Sequence, residues 1–320
     1  MFDLYLASFD DNKIIDQAWS NDWPLLYSQI NNRNVLVKRF DAPTNGKLLI
    51  DSGAHSAHTK GIKLDLDEYI GFVNDHITKT TLYVQVDKIP GVYLQPKTIE
   101  DFLEAPRLSW ENYLYMKEKS KDWTKLVPVF HMGEDMKWLQ NMCDYRFEDG
   151  SCIPYIGLSP RGDVSLQSKY DFCAECFSVI QSSTNPNVKT HAFGATSLAM
   201  LERLPFTSAD STTWVLVSAY GQVWIPTGIT GFSVDDTVGV KLGVSKENIT
   251  HSTATQTYWE QTDEVKKRLD DYFESIGTNI EKLSVTHSER ALASAKFVQT
   301  WAQNYKYKGV KTFKKTKKLF

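Results

Sequence analysis

The sequence predicts a single (β/α)8 barrel (TIM barrel), a closed ring of parallel strands surrounded by helices, with further helices decorating its C-terminal end. Short apolar segments alternate with amphipathic helical patterns along most of the 320 residues. A strand followed by a helix and then another strand indicates a parallel sheet with right-handed crossovers. Seven or eight such units fit a closed barrel better than an open sheet, and the length is ordinary for one barrel.

The predicted strands are short apolar runs that end near polar or turn-forming residues. In chain order they are 4–7, 48–51, 82–87, 126–131, 155–159, 188–193 and 206–210. Helical patterns lie between them at about 65–77, 98–120, 134–142, 166–181 and 196–203. In the first of these helices, Asp65, Asp67 and Glu68 precede the apolar face, and acids in a first turn favour a helix N-terminus.

The pattern changes after Asp210. Segments 214–217 and 222–225 are interpreted as a hairpin around Tyr220-Gly221, or as one strand followed by an insertion. Residues 228–255 are rich in Gly, Thr, Ser and Asp and are expected to form loops, and two helices follow at about 257–275 and 288–304. We therefore expect one barrel domain over residues 1–305, with an irregular insertion at about 214–255 and a basic tail at 306–320.

Composition excludes several classes of protein. Hydrophobic residues make up 42% and charged residues 23%, so the chain can bury a large core and is not disordered. No apolar stretch approaches the roughly 18 residues of a membrane span, so no membrane partner is expected. The start MFDLYLASFDDNK has no basic segment before a long apolar run, and the cysteine count is four. A cytoplasmic setting with reduced thiols is therefore predicted.

Charge is distributed unevenly. The formal net charge is −3, yet residues 306–320 hold seven lysines and no acid, so the remaining chain carries −10. Lysines in such a tail can contact phosphates while Tyr305, Tyr307 or Phe313 stacks on bases; a solvated terminus is the alternative. The candidate nucleic-acid contacts in the tail are Lys311, Lys314, Lys315, Lys317 and Lys318.

Polar, potentially reactive residues end several predicted strands. Active sites of (β/α)8 barrels form at the C-terminal ends of the strands, where side chains from different strands share one pocket. An apolar strand gains nothing by ending in a buried carboxylate unless that group has a partner. The strand-end candidates are Asp51, Asp87, His131, Ser159, His191 and Asp210.

Six segments carry a family resemblance by their order: DSGAHS, VDKIPG, FHMGED, YIGLSP, KTHAFG and TSADSTTW. Over residues 47–214 the chain resembles the tRNA-guanine transglycosylase superfamily, and most of all its phage and bacterial branch of 7-deazaguanine DNA transglycosylases. The resemblance implies exchange of guanine in DNA for a 7-deazaguanine base of the preQ0 or preQ1 type, without a cofactor. It also implies the host cytoplasm as the setting if the chain is phage-encoded.

The resemblance further implies residue roles. Asp210 matches the nucleophile that attacks C1′ and holds the covalent glycosyl-enzyme intermediate. Asp51 matches the aspartate of proton transfer and base positioning, and Asp87 matches the carboxylate that reads the N1–H and 2-amino edge of guanine. The backbone of Gly157 would contact the exchanged base. The other residues of the expected base pocket are Ser52, Gly53, His131, Leu158 and His191.

Departures from the family keep alternatives open. The tRNA enzymes hold a structural zinc on cysteines beyond the nucleophile, and this chain has no cysteine after Cys176, so no metal is expected and DNA is favoured over tRNA. A tRNA substrate (a queuine tRNA-ribosyltransferase-like enzyme) remains the first alternative. A metal-dependent amidohydrolase barrel would need a His-x-His pair that is lacking, and a non-catalytic nucleic-acid-binding barrel would need no aspartates. A homodimer or an accessory protein also remains open.

Overall fold

The computed structural model describes residues 2–8, 12–31, 33–40, 42–194, 197–230, 238–247 and 256–309. The five lysines predicted to bind nucleic acid through the tail lie outside these residues. Among the helices described, none has the length and apolar character needed to cross a bilayer.

Parallel strands form the central sheet. They are β1 (Asp3–Leu6), β2 (Leu25–Ser28), β3 (Leu48–Asp51), β4 (Thr80–Val84), β5 (Leu126–Val127), β6 (Val129–His131), β7 (Tyr155–Ser159), β8 (Lys189–Ala192) and β9 (Ser208–Ser211). The order is β5-β4-β3-β2-β1-β9-β8-β7-β6, and every pair is parallel.

The two ends of this order are halves of one strand, so the sheet closes. β5 and β6 are separated only by Pro128, which has no N–H to donate to a ladder. The Pro128 carbonyl still accepts from the Gly157 N–H at 2.8 Å, and the Val127 carbonyl accepts from the Gln85 N–H at 3.0 Å. The predicted (β/α)8 barrel is thereby confirmed.

Helices follow the strands around the barrel. They are α1 (Asn12–Ser20), α2 (Arg33–Arg39), α3 (Ala54–Lys60), α4 (Leu66–Asp75), α5 (Ile99–Lys119), α6 (Met136–Asp144), α7 (Leu166–Ser182), α8 (Leu198–Leu201) and α9 (Thr213–Ala219). The start of α4 is set by the Asp65 side chain, which accepts from the Glu68 N–H, and that of α5 by a capping box between Thr98 and Asp101.

Apolar side chains fill two layers. Inside the barrel, Tyr5, Leu49, Val127 and their neighbours form one buried cluster. A larger cluster lies between the strands and the surrounding helices and includes the buried free thiols of Cys173 and Cys176. Each strand contributes side chains to both layers, because successive residues point to opposite faces of the sheet.

The structure corrects the C-terminal third of the prediction. Segment 214–217, interpreted as a strand, lies in helix α9 and buries Trp214, Val217 and Ser218 on one side. A four-residue apolar run does not distinguish a strand from a turn of buried helix, so the pattern was ambiguous there. The strand interpreted at 222–225 is confirmed as Gln222–Pro226, whereas Gly239–Gly243 is a strand within the segment expected to form loops.

A small second sheet and three helices complete the chain. The sheet contains β10 (Gln222–Pro226), β11 (Gly239–Gly243) and β12 (Gln256–Thr257), and the helices are α10 (Asp263–Ser275), α11 (Ile280–Val285) and α12 (His287–Gln303). Helix α12 is buried along most of its length. It attaches to the barrel through Gln299, whose side-chain amide donates to the Leu4 carbonyl at 2.8 Å.

Candidate active site

A cavity of about 770 Å³ opens at the C-terminal ends of the barrel strands. Five of the six strand-end candidates line it, and four of them have titratable side chains: Asp51, Asp87, His131 and Asp210. Ser159 at the end of β7 also lines it. The structure thus brings to one place side chains from β3, β6, β7, β9 and the loop after β4, because the carboxyl ends of parallel strands share one edge.

Protein groups hold the Asp210 carboxylate through one of its two oxygens. Its Oδ1 accepts from the Gly194 N–H at 2.9 Å and lies 3.4 Å from His191 Nε2. His191 is fully buried and its Nδ1 lies 2.7 Å from Ser208 Oγ, which in turn lies 2.8 Å from the Tyr155 hydroxyl. This series of hydrogen bonds orients the Asp210 carboxylate through Oδ1. Among the described residues, hydrogen bonds are found for Oδ1 and not for Oδ2.

Asp51 ends β3 and carries a strongly shifted pKa. Burial is the largest cause of the shift, the charges of Asp87 and Asp210 add to it, and the Gly53 N–H, which donates to Asp51 Oδ2 at 3.1 Å, opposes it; together they raise the pKa of Asp51 to about 7. A carboxyl group with this pKa exists in both protonation states near neutral pH. It can therefore give or take a proton within one catalytic cycle.

His131 bridges two carboxylates. Its Nε2 lies 3.0 Å from Asp87 Oδ2 and its Nδ1 lies 3.0 Å from Glu134 Oε1, while its backbone N–H donates to Glu134 Oε2 at 3.2 Å. Burial lowers the pKa of His131, but the hydrogen bonds and charges of Asp87 and Glu134 outweigh that effect and raise it to about 10. The ring is thus an imidazolium that donates from both nitrogens and holds Asp87 in place.

Several residues predicted for the base pocket lie behind its wall. Gly53 has φ 76° and begins α3, and a Cβ there would lie 2.5 Å from Ile30 Cγ1. Ser52 is fully buried, and its Oγ accepts from the Ala54 N–H at 3.4 Å. These residues shape the turn that presents Asp51, and neither lines the cavity.

Strand β7 shows the same pattern. Leu158 is fully buried in the cluster between the strands and the helices. A Cβ on Gly157 would overlap the ring of Phe193, and it is this ring that lines the cavity. The glycine therefore makes room for an aromatic side chain. A base in the cavity would meet the Phe193 ring at this place, beside the backbone of Gly157. His191, as described, acts on Asp210 from within the core.

One polar side of the cavity was not predicted from the sequence. β2 was not predicted, and its following loop places Asn31 next to the start of α3. The Asn31 side-chain amide donates to Ser56 Oγ at 3.1 Å, and Lys60 Nζ donates to Asn31 Oδ1 at 3.0 Å. His55, Ser56 and Glu134 lie within quoted motifs, so their closeness to Asp51 and His131 in the sequence was an available signal.

Replacing Gly157 with alanine should destabilise the barrel by about 1–3 kcal/mol, because the added methyl group must displace the Phe193 ring in a packed interior. Urea denaturation measures the change. Gly71→Ala in α4 is the matched control, since a Cβ there meets nothing within 4 Å and alanine favours a helix. Equal stability of the two variants would contradict the tight packing of Phe193 on Gly157.

No group of three or more His, Cys, Asp or Glu side chains suited to hold a metal ion occurs in the part of the chain that the structure describes. Comparison of the sequence with models of protein families gives no match. Comparison with curated proteins gives none either. The function is therefore argued from the geometry of this cavity and from the resemblance of its motifs.

Proposed function

We propose that the chain is a glycosyltransferase that exchanges guanine in DNA for a 7-deazaguanine base, through a covalent intermediate on Asp210. The observation that carries this proposal is the convergence of Asp51, Asp87 and Asp210 on one cavity in three different settings. Asp210 is anchored through one oxygen, Asp51 titrates near neutrality, and Asp87 is paired with a cationic histidine.

The first half-reaction uses Asp210 and Asp51. A carboxylate oxygen of Asp210 attacks C1′ of the target nucleotide, the C1′–N9 bond breaks, and its electron pair leaves with guanine. The protonated Asp51 carboxyl supplies the proton that neutralises the departing base. The negative charges around the cavity stabilise the oxocarbenium-like charge that develops on the sugar.

The second half-reaction reverses these roles. Asp51, now ionised, accepts the N9 proton of the incoming 7-deazaguanine, whose nitrogen attacks C1′ and releases the Asp210 carboxylate. The sugar–phosphate backbone is not cut at any point. A group that works as acid in one step and base in the next is most effective with a pKa close to the working pH, as Asp51 has.

Base selection falls to Asp87. A carboxylate accepts hydrogen bonds only, which suits the N1–H and 2-amino donors of guanine and of the 7-deazaguanines. His131 keeps Asp87 oriented, because the imidazolium donates to Asp87 Oδ2. Phe193 offers an aromatic wall on the same cavity. The cavity lies below the barrel rim, so a base in a duplex would have to leave the stack, at a cost of a few kcal/mol.

A base-exchange assay tests the proposal. The full chain would be incubated with radiolabelled guanine and, in separate reactions, single-stranded DNA, duplex DNA and bulk tRNA, and acid-precipitable label would be counted. Label in DNA that is chased out by an unlabelled 7-deazaguanine is the expected result. Label in tRNA alone would support base exchange but contradict DNA as the substrate. No label in any polymer would contradict the proposed function.

Replacing Glu134 with glutamine should lower the pKa of His131 from about 10 toward neutrality, since one of its two carboxylate partners becomes an uncharged amide. NMR titration of the imidazole nitrogens measures this without any activity. Glu118→Gln, at an exposed position on α5, is the matched control. A His131 titration unchanged by Glu134→Gln would contradict the bridging role of Glu134.

A further inference from the structure

A second cavity, of about 340 Å³, adjoins the candidate active site. The two cavities share Ala54, Asp87 and Ile89 in their linings. The second one lies between the α3–α4 connection and the segment 88–93 that follows Asp87. None of the steps proposed above uses it, so its chemistry is an independent observation.

Its lining combines amines with exposed apolar side chains. Lys63 and Lys88 contribute amines and are both exposed. Tyr93 is 47% exposed and Val92 58% exposed, although both are large hydrophobic side chains. A ring beside two amines is the combination that binds single-stranded nucleic acid, with phosphate on the amines and a base on the ring.

Cations outnumber acids around this cavity. Burial lowers the pKa of His58, and the charges of Lys97, His55 and Lys88 lower it further, so these groups lie within electrostatic reach of one another. Within the described ranges, Lys63, Lys88 and Lys97 form no salt bridge closer than 4 Å. A cationic patch of this kind stands out in a chain whose residues before the tail carry −10.

The nearby acids are already engaged. Asp87 is paired with His131 at 3.0 Å. Asp101 accepts from the Thr98 N–H at 2.7 Å and from the Thr98 hydroxyl at 2.9 Å in the capping box of α5. The charges of Lys97 and Lys88 act on Asp101 without forming a salt bridge to it within 4 Å, so the amines can still receive an anion from outside the protein.

We propose that this second cavity binds the nucleotide next to the one whose base enters the active site. Its phosphate would lie on Lys63 and Lys88 and its base on Tyr93. The shared wall at Asp87 places the two cavities side by side, as adjacent nucleotides of one unstacked DNA strand require. The inference rests on the proposed function for the identity of the strand, and it adds a contact to the flanking nucleotide.

Binding of a fluorescein-labelled single-stranded DNA oligonucleotide, followed by anisotropy from 50 to 200 mM salt, tests the inference. In the Lys63→Gln/Lys88→Gln double variant, affinity should fall and the slope of log K against log salt should flatten by about 0.7, the contribution of the one phosphate that both lysines contact. In Tyr93→Ala, affinity should fall about 5- to 150-fold with the slope unchanged, as expected for a lost base stack.

Lys121→Gln/Lys189→Gln is the matched control, because it removes the same charge at the opposite end of the barrel, before β5 and at the start of β8. Thermal melting of each variant establishes that it is folded. Affinity and slope equal to wild type in the Lys63/Lys88 double variant would overturn the inference, and binding of a matched RNA strand alone would overturn DNA as the occupant.

Base exchange measured on the same preparations separates the two proposals. If the double variant loses DNA binding and the wild-type protein exchanges no base, the cavity assignment is supported and the proposed function is contradicted. If the double variant binds DNA as tightly as the wild type and still exchanges bases, the proposed function is supported and the cavity assignment is contradicted.

Discussion

Replacing Asp210 with asparagine should abolish base exchange, with a rate loss of about 10³-fold or more. The amide cannot form the ester to C1′ on which the two-step exchange depends. The fold should persist, because the asparagine Oδ1 can still accept from the Gly194 N–H, as Asp210 Oδ1 does at 2.9 Å. Label incorporation measures the rate, and mass spectrometry of the acid-quenched protein measures the covalent sugar adduct.

Asp171→Asn is the control for this substitution, because it makes the same chemical change at an exposed position on α7. We expect the control to exchange bases at the wild-type rate and to form the adduct. Exchange and adduct formation retained by Asp210→Asn would show that another group attacks C1′. Retained exchange without any adduct in the wild-type protein would point instead to direct displacement.

Replacing Asp51 with asparagine should lower the exchange rate by about 10²- to 10⁴-fold, the usual contribution of a general acid–base group. The wild-type rate should be highest near pH 7, since Asp51 must be protonated for the departing base and ionised for the arriving one. The variant should lose this dependence on pH. Initial rates of label incorporation between pH 5 and 9 measure both effects.

The same substitution should stabilise the protein at alkaline pH. The folded-state pKa of Asp51 is raised to about 7 from its ordinary value of 3.8, so the native state binds its proton more tightly than the unfolded chain. The free energy of unfolding of the wild type therefore falls as the pH rises from about 4 to 7, and the loss is complete above that range. We expect Asp51→Asn to be more stable by about 1–3 kcal/mol at pH 8.

Urea denaturation of the wild type and Asp51→Asn at pH 5 and pH 8 measures this difference. The advantage of the variant should shrink at pH 5, where the wild-type carboxyl is mostly protonated in the folded state. A difference that is the same at both pH values would show that Asp51 does not titrate in this window. Such a result would also remove the argument for Asp51 as the proton carrier.

The acidic side chains of the site were open to prediction from the sequence for a simple reason. Asp51 and Asp210 stand at the ends of apolar runs, and His131 ends a third one. In a parallel barrel the C-terminal ends of all strands meet, so these residues had to approach one another once the repeating strand–helix order was recognised. Strand β2 was not predicted because a four-residue run has too little periodicity to indicate a strand by itself; β3 is equally short, but the Asp51 at its end marked it.

The sequence by itself determined the barrel and the types of residue at the C-terminal ends of its strands, because hydrophobic alternation and strand ends are local properties of the chain. Only the tertiary structure decided what each group does. The pKa of Asp51 depends on burial and on charges from Asp87 and Asp210, which are distant in sequence. His191 was expected in the pocket, but packing places it behind Asp210, and Phe193 takes its place at the surface over Gly157. Desolvation and side-chain packing arise only when separate strands close into one ring, and no local pattern encodes them.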